Sequence, residues 1–425
     1  MMQRPDGVSA PAATRRALHR RHRTLVLLLG TVLATAGCGL LGGEDPEDAA
    51  SLAVPTEMAE SPTTTTATPS TTSTTATPRG PASWRRSFRR VARITGDISP
   101  KSVVASPDGY VTAQNMMYRH TVTVYDGDHE LVRTIPDRVV PSRFGYSTWR
   151  TVVRGAPVEA SFSPDGESLW VSNYSMYGKG FGPEGSDSCT PQSGYDRSFV
   201  YRISTSTWRI EDIVLVGSVP KYVQTSPDGR YVLVTNWCTW DLSIVDAERS
   251  RLVAKVQLGR YPRGIAISPD SSRAYVAVMG SSDVAVVDIP GAVARKGRSQ
   301  VLSWFRGVGA GPRHLNLSPN GRYLYATLNA AGQVAKIDAR TGRVLARVST
   351  GRQPRSSVLS PDGTALFVVN YESDTVTRLR TKDMARMGTV KTDHHPIGIT
   401  YSPANEEIWV AAYVGSITVF KDQAA

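Results

Sequence analysis

Several features that would identify a common enzyme or membrane protein are missing from this sequence. It has no phosphate-binding loop and no glycine-rich dinucleotide fingerprint, which excludes the familiar nucleotide-dependent classes. The apolar run near its N-terminus, residues 25–33, is too short to cross a bilayer. Cysteine is scarce as well, with three in 425 residues. Each cysteine therefore needs a specific explanation.

The N-terminus predicts export. A basic segment, the apolar run and small residues form a secretory signal over residues 1–37. The segment TAGC resembles a bacterial lipobox, with Thr35 where leucine is more common, and this implies that Cys38 is the lipidated first residue of the mature chain. A plain secreted protein cut nearby and a retained anchor are the alternatives. We expect an extracytoplasmic protein held at the cell membrane by lipid.

Residues 38–84 predict a disordered spacer. They include the string SPTTTTATPSTTSTTATP, which is rich in Thr, Ser and Pro and lacks large apolar residues. Such a composition cannot bury enough surface to fold. The net charge of the whole chain is +12, but much of the excess lies in the signal. The mild remainder does not indicate a nucleic-acid partner.

A repeat accounts for the rest of the chain, residues 85–425. A Ser-Pro pair recurs seven times, and in every case another proline precedes the serine by six residues. The serines are Ser106, Ser163, Ser226, Ser268, Ser318, Ser360 and Ser402, and the prolines are Pro100, Pro157, Pro220, Pro262, Pro312, Pro354 and Pro396. The repeat marks a structural unit of about 42 residues.

Each unit has the pattern of four antiparallel strands. After SPDG, which suits a tight turn, come alternating segments such as RYVLVTN, then a third strand such as LSIVD and a fourth such as RLVAKVQLG. The seventh unit stops one strand short, and the string RRVARITG, residues 89–96, matches the missing strand. The pattern predicts an all-β, seven-bladed β-propeller closed by pairing of the N-terminal strand into the last blade.

The repeat also resembles a known family. The strings RYVLVTN and GYVTAQN, with the recurring P-[KR]-x4-SPDG, resemble the YVTN-repeat seven-bladed propellers, a group within the WD-repeat-like class. The resemblance implies the fold, but propellers of this kind include binding proteins, scaffolds and enzymes, so it does not select a function. The YVTN asparagine is present only at Asn115, Asn173, Asn236 and Asn370.

Two long insertions are expected on one face of the propeller. One lies between units one and two, around residues 136–155, and the other lies between the second and third strands of unit two, around residues 177–196. The second insertion holds Cys189, and the corresponding turn of unit three holds Cys238. In an oxidising compartment we expect these two to form a disulfide. Two unrelated thiols and a metal pair are the alternatives.

Two further sets of residues are expected on that face. The residue after the first-strand proline is basic in five units, and these cations should surround one mouth of the channel and favour an anion. The residue after the asparagine slot is aromatic in four units, with another aromatic nearby, and such rings could stack on a ligand. A structural role within and between blades is the alternative for both sets. The cations are Lys101, Lys221, Arg263, Arg313 and Arg355, and the aromatic residues are Tyr174, Trp237, Trp240, Tyr371 and Tyr413.

Catalytic groups are sparse in the strands that should line the axis. Glu159 is the only carboxylate and His314 the only histidine there, with His394 and His395 just outside. Paired carboxylates, a metal site or a calcium cage would need more, so we predict no metal and no cofactor. We expect a lipid-anchored binding or scaffolding propeller whose partner is an anionic glycan, a cell-wall component or a protein. A propeller hydrolase, lactonase or lyase is the alternative.

Overall fold

The structure, a computed structural model, describes residues 81–174, 188–295 and 301–423. The predicted signal, the predicted lipidation site Cys38 and nearly all of the predicted spacer lie outside the described residues. The described residues belong to one unit, Thr74–Ala425. None of their helices is long and apolar enough to span a membrane.

Seven four-stranded antiparallel sheets form the blades, as the repeat predicts. In the first six blades the four strands follow one another in the chain, from the axis outward. Blade 1 contains β2 (Ser102–Ala105), β3 (Val111–Asn115), β4 (Thr121–Tyr125) and β5 (Leu131–Pro136); blade 2 contains β6 (Pro157–Phe162), β7 (Ser168–Asn173), β8 (Phe199–Ser204) and β9 (Arg209–Leu215); blade 3 contains β10 (Pro220–Thr225), β11 (Tyr231–Asn236), β12 (Asp241–Asp246) and β13 (Arg251–Gln257).

The remaining blades repeat this order, and short helices lie in the connections. Blade 4 contains β14 (Pro262–Ile267), β15 (Arg273–Val278), β16 (Asp283–Asp288) and β17 (Ser303–Phe305); blade 5 contains β18 (Pro312–Leu317), β19 (Tyr323–Leu328), β20 (Gln333–Asp338) and β21 (Val344–Ser349); blade 6 contains β22 (Pro354–Leu359), β23 (Ala365–Asn370), β24 (Thr375–Arg380) and β25 (Arg386–Lys391); blade 7 contains β26 (Pro396–Ser402), β27 (Glu407–Ala412), β28 (Ser416–Gln423) and β1 (Ser87–Ile94). The helices are α1 (Ile289–Ala294) and 3-10 turns at Ser83–Arg85, Pro141–Phe144, Pro191–Ser193 and Tyr371–Ser373.

The first and last parts of the described chain close the ring. Strand β1 pairs antiparallel with β28, from Ser87 opposite Gln423 to Ile94 opposite Ile417. Strand β1 begins at Ser87, two residues before the start predicted from the sequence, residue 89. Arg86 adds an ion pair, with its Nη1 3.1 Å from Glu406 Oε1. Closure in this way leaves no sheet with a missing strand.

The core lies between the blades. The second strand of a blade is buried on both faces, as in β7, β23 and β27, where every residue is buried. The outermost strand is mostly exposed on at least one face, as in β21. The second strands, which the sequence predicts as alternating segments, are therefore buried on both faces, whereas the fourth strands alternate between half-buried and exposed residues.

The recurring SPDG turn has a specific structural role. In the turn of blade 6, Ser360 Oγ accepts a hydrogen bond from the N–H of Ala365 and donates one to Asp362. Gly363 has φ of +65°, and a Cβ built there would lie 2.9 Å from the Cδ of Pro319 in the blade 5 turn. Proline and glycine of this motif therefore also pack between neighbouring blades.

The predicted disulfide is confirmed. Cys189 and Cys238 are bonded, 49 residues apart in sequence and with their Cα atoms 5.2 Å apart. Both are nearly fully buried. The bond joins the blade 2 insertion to the turn between β11 and β12 of blade 3.

Candidate functional site

A backbone irregularity places the predicted cations. In blades 2 to 7 the pairing between the first and second strands shifts directly after the proline, so that the next residue lies on a β-bulge. Bulges redirect a side chain that would otherwise alternate with its neighbours. In blade 1, Lys101 lies directly before β2, and its N–H donates a hydrogen bond to the carbonyl of Gln114 in β3.

The residue before the proline is also unusual. It has a positive φ in six blades, at Ala156, Val219, Tyr261, Gly311, Gln353 and His395. In each of these blades its carbonyl accepts a hydrogen bond from the N–H of the residue after the asparagine slot. A valine rarely adopts this conformation. The bond fixes the turn after the second strand against the entry to the first strand, and it places the predicted aromatic residues beside the predicted cations.

The five predicted cations converge on the axis, and we call them the basic cluster. Lys101, Lys221, Arg263 and Arg313 are 3–5% exposed, and Arg355 is partly buried. They come from blades 1, 3, 4, 5 and 6, yet Lys101 of blade 1 and Arg263 of blade 4 both approach the same carboxylate. Cations from five blades thus lie close enough together to influence one another electrostatically.

That carboxylate is Glu159 of blade 2. Its Oε1 lies 3.5 Å from Arg263 Nη2 and 3.9 Å from Lys101 Nζ. Among the described residues it is the only carboxylate that forms an ion pair with either of them. The described residues also offer Lys101 Nζ no hydrogen-bond acceptor. Of the described carboxylates, Glu159 alone therefore faces Lys101 and Arg263.

The electrostatic cost of this arrangement shows in the pKa values. Burial lowers the pKa of Lys101 well below its usual range, and Arg263, Arg313 and Lys221 lower it further, while Glu159 opposes the shift. Burial likewise lowers the pKa of the Arg313 guanidinium, with added repulsion from Arg263 and Arg355. An anion beside these groups would reduce this repulsion.

The aromatic residues divide into two groups. Tyr174 and Trp237 are 0% and 6% exposed and pack in the apolar cluster around Cys189 and Cys238. Lys221 Nζ lies 4.2 Å from the Tyr174 ring centroid and 5.3 Å from that of Trp237. Packing therefore explains these two rings, which also offer a face to a buried cation.

The second group is more open. Tyr371 and Tyr413 are partly exposed and meet edge to face, with ring centroids 5.9 Å apart. The Arg355 guanidinium lies over Tyr371, 4.0 Å from its centroid. Trp240 is partly buried and meets Tyr261 edge to face, with ring centroids 6.3 Å apart; Tyr261 was not among the predicted aromatic residues. Tyr371 and Tyr413 are the predicted rings best placed to contact a ligand at the mouth.

A cavity of about 160 Å³ is lined by the first strands of six blades, at positions that follow the basic cluster in the sequence. Six blades contribute the residue two positions after the first-strand proline: Ser102, Glu159, Tyr222, His314, Ser356 and Gly398. Blade 4 has Gly264 at this position, where a Cβ would lie 2.7 Å from the carbonyl oxygen of Arg313. The cavity is small enough that residues of non-adjacent blades line it together.

Glu159 and His314 therefore share one cavity although blades 2 and 5 are not neighbours. His314 Nε2 lies 3.0 Å from the hydroxyl of Tyr222, a residue that sequence reasoning missed. Burial, with Arg313 and Arg263 nearby, lowers the pKa of His314 to about 3. His314 is thus neutral at physiological pH and is suited to hydrogen bonding more than to donating a proton.

His394 and His395, the two histidines that the sequence places just outside the axial strands, do not line this cavity. His395 stacks on Tyr371 with centroids 4.2 Å apart and on His394 at 3.6 Å. His394 Nδ1 lies 2.9 Å from Asp374 Oδ2. In the part of the chain that the structure describes, no group of three or more His, Cys, Asp or Glu residues has metal-binding geometry.

The YVTN asparagines are structural. Asn236 Nδ2 donates to Asp241 and Ser243 of the next strand, and Asn236 Oδ1 accepts from the N–H of Gly217. Asn370 makes the corresponding bonds to Thr375 and Thr377. Both are fully buried. These amides hold the blade together and are not available to a ligand.

Comparison with known proteins supports the fold. A family model described as Lactonase, 7-bladed beta-propeller matches residues 220–386, which correspond to blades 3 to 5 and most of blade 6. A solved structure of Kuenenia stuttgartiensis hydrazine synthase is similar, with a TM-score of 0.59 and 19% identity over 77% of this chain and 97% of that chain. At this identity the likeness shows the fold alone. No curated protein sequence matches.

Proposed function

We propose that the protein is a binding module whose ligand carries carboxylate or phosphate groups and docks at the basic cluster. The observation that supports this most is the imbalance of buried charge, in which Glu159 is the only described carboxylate paired with Lys101 or Arg263. Buried charges without adequate partners destabilise a protein, so a ligand that supplies negative charge would stabilise it.

The partly exposed rings suggest what else the ligand carries. Tyr371 and Tyr413 lie beside Arg355 at the edge of the basic cluster. Aromatic faces next to cations bind sugar rings as well as apolar groups. An anionic glycan or an anionic cell-wall fragment therefore fits better than a simple ion.

The proposed location agrees with this ligand. The signal over residues 1–37 and lipidation at Cys38 would hold the propeller outside the cytoplasm, on the spacer that follows. Anionic glycans and cell-wall fragments are encountered there. We also propose that the chain is related to the YVTN-repeat propellers, which the strings RYVLVTN and GYVTAQN resemble.

A thermal-shift screen tests the binding function. The protein is screened with inorganic phosphate, citrate and oligogalacturonate, beside the variant Arg263→Gln/Arg313→Gln/Arg355→Gln. A matched control carries Arg322→Gln/Arg340→Gln/Arg343→Gln, three exposed arginines of blade 5. We expect at least one anion to raise the melting temperature of the parent and the control but not of the cluster variant. Equal shifts in all three proteins would show that the cluster is not the site.

A second function, hydrolysis of a cyclic ester, has one specific observation in its favour. The lactonase family model matches residues that include Tyr222 and His314, and the channel brings Glu159 beside them. In this reaction Glu159 would accept a proton from the water that attacks the carbonyl carbon, and would return it to the alcohol oxygen released when the ring C–O bond breaks; the arginines would stabilise the negative charge that develops on the carbonyl oxygen. Glu159 itself lies outside the matched segment.

An activity assay separates the two functions. Lactone opening is followed with gluconolactone, homoserine lactone and dihydrocoumarin, for the parent and for Glu159→Gln. Turnover by the parent that Glu159→Gln abolishes would establish the enzyme. Anion binding without turnover would support the binding function and contradict the hydrolase.

A further inference from the structure

A second site lies on the side of the propeller, between the outer strands of blades 1 and 2. A cavity of about 520 Å³ is lined by β5 and the start of β9. A neighbouring cavity of about 230 Å³ shares Arg138 and Ile210 with it. We call the two together the side groove.

Apolar side chains are exposed along this groove. Leu131 and Val132 at the start of β5 are 55% and 46% exposed, and Val152 at the far end is 60% exposed. Trp208 and Phe144 contribute further apolar surface to the lining. Few large apolar side chains of the described residues are exposed to this degree, and their concentration here indicates an interaction surface.

The charge of the groove has one sign. Arg133, Arg138, Arg143 and Arg209 line it, and all four are exposed. Neither lining includes Asp or Glu, and none of these arginines forms an ion pair with a described residue. An acidic partner would therefore be complementary to it.

The edge of β5 is open. It is the outermost strand of blade 1, and apart from the N–H of Arg138, which donates to the carbonyl of Pro136 at the end of the strand, no described residue outside β4 hydrogen-bonds to its backbone. The edge of β9 differs, because the first insertion covers it: the hydroxyl of Tyr146 accepts from the N–H of Leu215 and donates to the carbonyl of Ile213. An uncovered strand edge binds an extended chain through backbone hydrogen bonds.

We propose that the side groove binds an extended acidic segment of a partner protein, which adds to blade 1 as a fifth strand along β5. The six residues of β5 offer an edge of about 20 Å. Alternate side chains of the bound segment would place carboxylates on the arginines and apolar groups against Leu131, Val132 and Ile210. A nucleic acid or an anionic membrane would use the arginines but not the open edge of the sheet.

Peptide selection on the purified protein tests this inference. A random phage-displayed library is selected against the parent, and the enriched peptides are titrated against Arg138→Glu/Arg209→Glu and against the control Arg322→Glu/Arg343→Glu. All four positions are exposed, so both variants should fold, and melting temperatures verify this. We expect acidic peptides with alternating apolar residues that bind the first variant at least about tenfold more weakly, because each lost ion pair at such a site contributes on that order.

Hydrogen exchange then distinguishes strand addition from charge attraction alone. The bound peptide should slow amide exchange in Leu131–Pro136 and leave the exchange of β25 unchanged. The proposal is overturned if no arginine-dependent peptide is enriched, if the β5 amides are not protected, or if a heparin fragment or anionic vesicles bind the groove where peptides do not. Because the variants leave the basic cluster intact, the outcome is independent of the proposed channel ligand.

Discussion

At the scale of the residue, the basic cluster shows that one repeated position can carry different roles. Lys221 contacts two buried rings, Arg313 donates to the carbonyl of Arg355, and Arg263 pairs with Glu159. These contacts match the structural interpretation of the repeat. Lys101 does not fit this structural interpretation, because its Nζ has no hydrogen-bond acceptor among the described residues. Lys101 therefore distinguishes a structural role from a ligand-binding one most clearly.

Lys101→Met should stabilise the free protein and weaken anion binding. Because burial lowers the pKa of Lys101, its charged form costs stability in the fold, and replacing it should raise the free energy of unfolding by about 1–3 kcal/mol at neutral pH. The cost declines as pH rises towards about 10.4, the value of an unfolded lysine, so the advantage of the variant should shrink there. Urea unfolding at pH 6.5 and 9.5 measures both effects. Destabilisation at neutral pH would instead assign Lys101 a structural role.

His314 gives a pH dependence with the opposite sense. Its pKa in the fold, about 3, lies below that of an unfolded histidine. Its contribution to stability is therefore complete above about pH 6.5 and is lost as the pH falls towards 3. Between pH 7 and 4.5 we expect the parent to lose about 1–2 kcal/mol more than His314→Gln, since this partly buried ring remains near the channel solvent. Parallel loss in both proteins would contradict the assigned environment of His314.

At the scale of the element, the sequence identified the strands but not the geometry that makes the site. Periodicity and the SPDG turns predicted four strands per unit, and the structure agrees because apolar alternation and turn chemistry act locally. The bulge at Arg313 and the positive φ at Val219 could not be read in the same way. The recurring proline lies between the two positions, but the residue types before it vary from blade to blade, and the positive φ there accompanies a hydrogen bond from a separate turn.

Tyr222 and Glu159 likewise show that the sequence does not reveal which side chains meet in the channel. The sequence singled out Glu159 as a rare axial carboxylate, but not as the partner of Arg263 and Lys101. Tyr222 drew no attention because one tyrosine in a strand is ordinary. Only the width of the channel, which the number of blades sets, brings it within 3.0 Å of His314.

The disulfide is the element-scale feature with the clearest stability prediction. Removing a bond that closes a loop of 49 residues should lower the free energy of unfolding by about 4 kcal/mol in the chain-entropy description, with less if the reduced chain retains structure. Cys189→Ser/Cys238→Ser is compared with the parent by urea unfolding. Thiol titration of the unreduced, unfolded parent should find neither of these two cysteines reactive. Two reactive thiols beyond any from Cys38 would show that the bond does not form.

At the scale of the whole molecule, closure by β1 places the predicted spacer next to the last blade. The strand that completes blade 7 is the first strand of the described residues and follows the predicted spacer in the chain. If the chain is anchored at Cys38 as the sequence predicts, the spacer would join the propeller at blade 7. The comparisons support the propeller, whereas the anchor remains a prediction from the sequence.

The anchor is tested with Cys38→Ala in a bacterial host that acylates lipoproteins. The parent should partition into the detergent phase of Triton X-114 and carry a diacylglyceryl mass on Cys38. The variant should move to the aqueous phase, because it lacks the thiol to which the lipid would be attached. A parent found in the aqueous phase without modification would contradict lipidation and would indicate a plain secreted protein.

Anomalous diffraction from crystals grown in bromide tests the central proposal most directly, because it needs no knowledge of the natural ligand. A bromide peak is expected within about 4 Å of the Arg263 and Arg313 side chains. The same peak should be absent from Arg263→Gln/Arg313→Gln/Arg355→Gln crystals and present in the blade 5 control. Bromide found only beside exposed arginines, with none at the basic cluster, would contradict an anion site at the channel mouth.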